Sequence, residues 1–531
     1  MSGTQTVAKS VYVPAPISGL NLVCSPFDFK PTEARSLANY WVYDWGIRQR
    51  PAWEAIATMN VNIIDLRTYV NSNGADRFLW VQDNGGSAAT LQLAQAPSGA
   101  AVSAYTGPAL PTSSGITIYD SHQFGAYVYY SGTPAGIRIT ANTGAGTYVA
   151  FTFTGPTELT DMWDYKKRFY GIEKGTSTVW YGGLSSISGA MTSVDFSTIV
   201  PGSTPLLFGT SWSYNQGLSN DDLLVLVSVA GDVLVYSGDD PNASNFNLLW
   251  RGKIPKPVTD SSNIKKCFIP LGQDILIGTE RGIVSLKTFI QGSQLQGEDY
   301  YLVSRNLGDI TLYPVNPAQD QYQPFVYFYG EYTGFPGPGG GSASPCIFVL
   351  NYERGAWSVF TGNGTPSSST AGSMVAVGDR LICADRSGSA TYSLAPTGSI
   401  EASSSVYSWA TPFYSYSGLA SGALNAVPNE SLHLKTNFLR IISRWVAGGT
   451  FGLPSIFNSM QCALDLNDTA QNGDSLLTSI GATQFTPIEQ QLQPPGLSKY
   501  ISYIQSADGT QTTTQIDIIG FSLFYEQGGA F

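Results

Sequence analysis

The sequence predicts an all-β chain: a β-propeller of six to eight blades, with an additional small β-domain formed by the C-terminal region, which the N-terminal arm could complete. Three observations point there. Short runs of Val, Ile, Leu and aromatic residues recur, each followed by a small or charged turn and a second such run, which is the pattern of hairpins. The hairpins return about every 50 residues, the size of a four-stranded blade. Only 12% of the residues are charged, about half the globular norm of roughly 25%, while Gly (57), Pro (30) and Tyr (30) are plentiful, a composition of many short strands and tight turns.

Residues 1–50 read as an arm and a first strand. The segment "TEARSLAN" (32–39) predicts one or two helical turns, with Thr32 as N-cap, Glu33 at the positive end, and Ala34, Leu37, Ala38 and Trp41 on one stripe. From Tyr40 the period changes to two. Trp41, Tyr43, Trp45 and Ile47 then share one buried face of a strand, while Asp44, Arg48 and Arg50 are left for polar contacts with a neighbouring strand or subunit.

Residues 51–400 carry the repeat. Its hairpins are 77–93, 126–140, 168–183, 222–238, 274–287, 325–360 and 380–394, and Phe78, Tyr127, Phe169, Leu224, Ile275, Val326 and Leu381 mark successive units. A lone blade leaves both sheet faces uncovered, so such units are stable only when stacked radially. Several β-sandwiches in series would use similar hairpins and remain an alternative. The Ser-rich stretch 395–408 reads as a boundary, and 401–531 as a C-terminal β-domain. There Asp508-Gly509 predicts a turn joining a strand from Tyr500 to Ser506 with one from Thr512 to Tyr525.

One insertion breaks the rhythm. In "EYTGFPGPGGGSASP" (331–345), the residues Thr333, Gly334, Phe335, Pro336, Gly337, Pro338, Gly339, Gly340 and Gly341 cannot continue a ladder. They read as a long hairpin tip, or as a loop that gates a channel or meets a partner.

The chemistry of most enzyme classes is missing from the pattern. The two histidines, His122 and His433, have no Cys, His or carboxylate at ligand spacing and no nucleophile elbow. No Walker motif is present. The run 465–474 has Ala470 where a calcium loop demands Gly. The pairs Asp221-Asp222, Asp239-Asp240 and Glu298-Asp299 could serve glycoside hydrolysis but sit beside turn residues. Trp163-Asp164 lacks the Gly-His partner of WD repeats. Cys24, Cys267, Cys346, Cys383 and Cys462 are scattered and read as mostly buried thiols. The expectation is therefore no catalytic residue, no metal and no cofactor. A net charge of −11 argues against a protein that grips nucleic acid by neutralising phosphates. No apolar run has the length of a signal peptide or membrane span, so a protein made in a cytosol without a membrane anchor is expected.

Read together, "PISGLNLVCSPFDFKPTEARSLANYWVYDWGIRQRP" (16–51), 231–257, 272–286 and the terminal "YEQGG" (525–529) resemble the tail nozzle, or hub, proteins of short-tailed bacteriophages. The residues that carry the likeness are Gly19, Leu20 and Asn21, then Pro31, Asn39, Tyr40 and Trp41, then Arg48. This chain departs from the family pattern at Arg50-Pro51, where Gly is frequent. The resemblance implies a structural virion protein: a propeller subunit, usually in a homo-hexamer, that continues the DNA channel below the portal and the head-tail adaptor protein. It also implies docking of tail fibre, spike or needle proteins, assembly in the host cytoplasm, and DNA passing through without specific binding. The alternative is a carbohydrate-binding or glycan-degrading propeller of the tail, to which abundant aromatic residues are equally suited.

Overall fold

The computed structural model describes residues 9–24, 29–55, 63–70, 76–84, 87–95, 100–104, 117–133, 137–140, 148–215, 220–292, 299–332, 344–361, 371–377, 380–385, 391–394, 407–410, 414–415, 434–445, 459–464, 471–472, 486–490, 500–507 and 516–527. Strands dominate them. The α-helix among the described residues is the short segment Leu286–Gln291, whose N-cap Ser285 accepts the amide of Thr288.

Seven antiparallel sheets follow one another among the described residues. The first four are meanders: Ile63–Val70 to Ala100–Ala104, Thr117–Phe124 to Tyr148–Ala150, Leu159–Tyr165 to Thr192–Asp195, and Leu206–Asn215 to Asn247–Lys253. The fifth has three strands, Phe268–Leu271, Asp274–Thr279 and Gly282–Ser285. Its outer edge is continued by residues 301–303, with Ser285 N donating to Tyr301 O at 3.0 Å and Val303 N to Ile283 O at 2.8 Å. The sixth contains Ala318–Gln319, Phe325–Tyr332, Ser344–Asn351 and Ala356–Phe360, and the seventh Ala371–Val377, Arg380–Asp385 and Thr391–Leu394.

The seventh sheet takes its fourth strand, Glu54–Ala55, from ahead of the first sheet in sequence, and its innermost strand packs beside Ile63–Val70. This closes the circle, and the fold is a β-propeller. All seven markers expected from the repeat, Phe78 through Leu381, fall on the second strand of their sheets.

The packing explains why the blades read as continuous apolar runs. In Asn220–Ser228, Leu224 and Leu226 join the cluster facing the third sheet, around Trp163, Tyr165 and Tyr170. Leu223, Val225 and Val227 face the fifth, around Ile275 and Ile277. A strand buried on both faces has no polar side to show. Gly209 lies under Trp163, where a Cβ would come within 2.4 Å of the indole, so the small residue permits the large one.

The terminal segments build two further sheets. One runs Thr486–Gln490, Leu434–Trp445, Ile516–Gln527, Ile47–Gln49, Tyr40–Val42, with Lys9–Pro14 also paired to Ile516–Gln527. The other extends the sixth blade: Ala356–Phe360 is followed by Ser36–Ala38, Tyr407–Ala410, Tyr500–Ala507, Ser459–Leu464 and Gln471–Asn472.

Three local expectations are corrected. The 32–39 segment is not helical but forms the strands Glu33–Ala34 and Ser36–Ala38. Parallel pairing with Gly19–Leu20 and with Val359 buries Ala34 and Leu37 completely, and the Glu33 carboxylate accepts Lys30 N to close a turn. The aromatic ribbon is not one strand but a hairpin, Tyr40–Val42 and Ile47–Gln49, closed by Tyr43 N donating to Gly46 O at 2.8 Å. Gly46 permits this because its Cα passes so close to Ile518 that a Cβ would lie 2.2 Å from the carbonyl oxygen. Hence Trp41 and Ile47 enter different core clusters, and Tyr43 and Trp45 stack at the turn, half-buried. Finally, Tyr500–Ala507 and Ile516–Gln527 are not a hairpin: they lie in different sheets, the first between Tyr407–Ala410 and Ser459–Leu464, the second between Leu434–Trp445 and the N-terminal strands.

Candidate functional site

The polar residues expected to make contacts from the ribbon converge where the terminal sheets meet the propeller. Antiparallel pairing sets Arg48 opposite Asp517, and their side chains form a two-pronged ion pair, Nε to Oδ1 at 2.7 Å and Nη2 to Oδ2 at 3.1 Å. The Arg48 guanidinium also covers the rings of Tyr43 and Trp45 at 5.3 and 5.4 Å. Burial pushes the Tyr43 hydroxyl up to about 12, with Arg48 opposing the rise.

Arg50 is wholly buried. It donates to Asn39 Oδ1 (2.8 Å), Pro51 O (2.9 Å) and Thr361 O (2.7 Å). Asn39, at φ 65°, is the corner between Ser36–Ala38 and Tyr40–Val42, and its Oδ1 also accepts Thr361 N at 2.9 Å. An Asn tolerates this left-handed conformation better than most residues. One buried guanidinium thus joins the corner of the arm to the end of the sixth blade. Asn351 of that blade adds a further tie, donating to Val42 O at 2.9 Å. Asp44, by contrast, is exposed at the hairpin turn.

Asp44 lines a cleft of about 1240 Å³ between the arm and the fifth and sixth blades. Its walls are the turns Leu271–Asp274 and Tyr352–Gly355, the segment Tyr300–Asn306, and Lys30, Glu33 and Tyr43 of the arm. The loop 333–341 itself (Thr333, Gly334, Phe335, Pro336, Gly337, Pro338, Gly339, Gly340, Gly341) lies outside the described residues. Its flanks, Tyr332 and Ser344, are paired.

A second polar group sits at the propeller axis, beside a cavity of about 370 Å³. Lys266, 3% exposed, is tied to Asp161, reaches Thr160 O at 3.3 Å and lies 3.7 Å from Asp120 Oδ2. Each carboxylate also accepts an amide from the next blade: Met162 N to Asp120 Oδ2 (2.7 Å) and Gly209 N to Asp161 Oδ2 (2.6 Å). Sequence reasoning missed this group. The signal available was a recurring aliphatic-x-Asp at Ile63–Asp65, Ile118–Asp120 and Leu159–Asp161, each with a register shift just ahead of the Asp. A bulge at that point re-aims the side chain.

Other flagged residues have local partners. His122 Nε2 meets Asp164 Oδ1 at 3.1 Å, between the second and third blades, and the neighbouring imidazole holds the Asp164 carboxyl below the usual range. Asp222 accepts Ser213 Oγ (2.6 Å), Asp239 accepts Asn245 Nδ2 (2.9 Å), Asp240 pairs with Arg168 (3.1 Å), and Asp299 with Arg281 (3.0 Å). Cys267, Cys346 and Cys383 are buried free thiols, and burial pushes Cys267 up to about 12. Among the described residues no group of three or more His, Cys, Asp or Glu could hold a metal ion, and no helix is long and apolar enough to cross a membrane.

No protein-family model and no curated protein matches the chain. Solved structures similar to it include the β-propeller domain of Myceliophteria thermophila Cps50 (Swd1), at 10% identity and TM-score 0.41 over 66% of this chain and all of that one. Chaetomium thermophilum Raptor gives 10% identity and TM-score 0.38 over 65% of this chain, which spans only 29% of Raptor. The extracellular domain of the putative one-component system BT4673 from B. thetaiotaomicron gives 13% and 0.39, covering 73% of this chain and 43% of that domain. The fold assignment rests on the chain's own strand order and ring closure.

Proposed function

We propose that the chain is a structural subunit of a short-tailed phage tail: a nozzle that forms a ring, most simply a homo-hexamer, continues the DNA channel below the portal and adaptor, and docks fibre, spike or needle proteins. The observation that carries this reading is the junction. The N-terminal segment with the strongest family likeness, residues 16–51, supplies Asn39, Arg48 and Arg50, which join the propeller to the C-terminal strands. A subunit that transmits load between its neighbours needs its parts coupled, and here buried, charge-assisted hydrogen bonds couple them.

The channel would lie between subunits. The axial cavity, about 370 Å³, has the size of a small-molecule pocket, and Lys266 with its two aspartates lines it, so a duplex has no path through one propeller. A net charge of −11 fits a wall over which DNA slides without being held. The test is the mass and image of the purified chain, followed by titration with duplex DNA at about 0.15 M salt. A ring that binds DNA more weakly than ~10⁻⁶ M is expected. A chain that stays monomeric at high concentration, or a ring that binds duplex tightly and loses it with added salt, refutes the reading.

A further inference from the structure

The buried group on the propeller axis has the parts of a condensation site. Lys266 supplies an amine, Asp161 a carboxyl that touches it, and Asp120 a second carboxyl close by; their side chains are only 3%, 3% and 6% exposed. Lys266 Nζ meets Asp161 Oδ1 directly and is aimed by a further hydrogen bond to Thr160 O at 3.3 Å. Asp120 Oδ2 lies 3.7 Å from the same nitrogen. Three blades fix these positions. Asp120 stands on the second, Asp161 on the third, and Lys266 two residues ahead of the first strand of the fifth, Phe268–Leu271.

A buried ion pair keeps its charges against a desolvation cost that mutual attraction often fails to repay. The same burial suits amide formation, since water is the product and its exclusion opposes the reverse step. Two further contacts serve the reaction. Gly209 N donates to Asp161 Oδ2 at 2.6 Å, where the oxygen of a tetrahedral intermediate would gather negative charge, so this amide acts as an oxyanion donor. Asp120 Oδ2, held by Met162 N at 2.7 Å, is placed to carry protons. The adjoining cavity of about 370 Å³, lined by these three residues with Met162 and Phe268, has room for the released water. Reacting groups held in contact by a fold gain an effective concentration of about 10⁵–10⁸ M, which free lysine and aspartate never have.

We propose that Lys266 and Asp161 join in an intramolecular isopeptide bond. The Nζ–Cγ bond forms and the Cγ–Oδ1 bond breaks. Of the three ammonium protons, two pass to Oδ1 by way of Asp120 and leave with it as water; the third stays on the amide nitrogen. Asp120 ends as the carboxylate it began, and Oδ2 becomes the amide oxygen, still accepting Gly209 N. No oxidant or cofactor is consumed. The ion pair is the state that folding delivers first, and the bond grows from it. The link staples the third blade to the fifth across the whole of the fourth, whether or not the chain assembles into a ring.

The experiment is mass spectrometry of the full chain, intact and after denaturation and trypsin, as purified and after prolonged incubation. The bonded chain is expected to be about 18 Da lighter, the mass of one water. A succinimide at Asp508-Gly509 would lose the same mass, so the digest decides: peptide 139–166 should appear joined to 266–281, with no cleavage after Lys266. Asp161→Ala should release 139–166 as a free peptide. Asp120→Asn, read in its soluble folded fraction, should form the branched peptide about a hundredfold more slowly than wild type. Wild-type chain that yields free 139–166 and no branched peptide in both samples overturns the inference. An Asp120→Asn chain that forms the link as fast as wild type overturns the part given to Asp120.

Discussion

Replacing Lys266 by Met removes a buried ammonium while keeping most of its apolar stem, and leaves Asp120 and Asp161 without their shared counter-charge at the axis of the propeller. Both carboxylates are nearly inaccessible, at 5% and 2% exposure. Each would retain a backbone donor, Met162 N or Gly209 N, but a neutral amide does not cancel the charge of a carboxylate in a low-dielectric site. Removing one partner of a buried pair typically costs about 3–5 kcal/mol, because an uncompensated charge stays behind. The second, third and fourth blades meet through these aspartates, so the cost should appear as global destabilisation. The assay is urea unfolding followed by intrinsic fluorescence: the midpoint should fall with little change in slope. Adding Asp161→Asn to Lys266→Met should recover more than half of the loss, since an amide can still accept Gly209 N without carrying charge. A loss below about 1 kcal/mol in the single variant, or no recovery in the double, would refute the view that Lys266 is a cross-blade strut.

Two further outcomes are expected. Trp41→Ala, which empties a core position against Phe325 and Phe360 and removes a donor to Tyr327, should cost about 3–5 kcal/mol in the same assay, whereas Trp45→Ala at the half-exposed hairpin turn should cost clearly less; equal losses would contradict the hairpin. The Asp164 carboxyl, held low by the adjacent His122 imidazole, contributes stability that is present above the unfolded-state carboxylate pKa and lost as pH falls through the folded one. Wild type should therefore lose more melting temperature between pH 6 and pH 3 than His122→Gln does, by a small margin because the Asp164 side chain is 57% exposed; identical acid limbs would show that the pair does not contribute.

Much of the propeller was legible from residues alone, because its signals are local. A run such as "DLLVLVSVAGDVLVYSG" alternates nothing, since both faces of a blade are buried, yet its turn residues mark the hairpin. The same locality misled where tertiary pairing outweighs propensity. Residues 32–39 have a helical cap and stripe, but parallel partners at Gly19–Leu20 and Val359 offered backbone bonds and complete burial of Leu37, which a two-turn helix alone could not match. The "YISYIQSADGTQTTTQIDIIG" stretch carries an Asp-Gly turn signal, yet its two strands have both edges taken by chain segments far away in sequence.

The sequence by itself determined the class of fold and the hairpins of the propeller repeat, because apolar periodicity and turn chemistry act between residues a few positions apart. It also singled out Arg48 and Arg50 as polar members of an aromatic ribbon, without their partners. Only the tertiary structure decided that Arg48 meets Asp517, that Arg50 meets Asn39 and Thr361, and that Glu54–Ala55 closes the ring in the last blade. It alone gathered Asp120, Asp161 and Lys266 on the axis and Asp44 with Tyr352 in one cleft. The physical reason is common to all of these. Each pairing joins segments many residues apart, whose meeting is fixed by the radial stacking of blades and by strand registers set elsewhere in the sheet, and no local pattern encodes a distance between them.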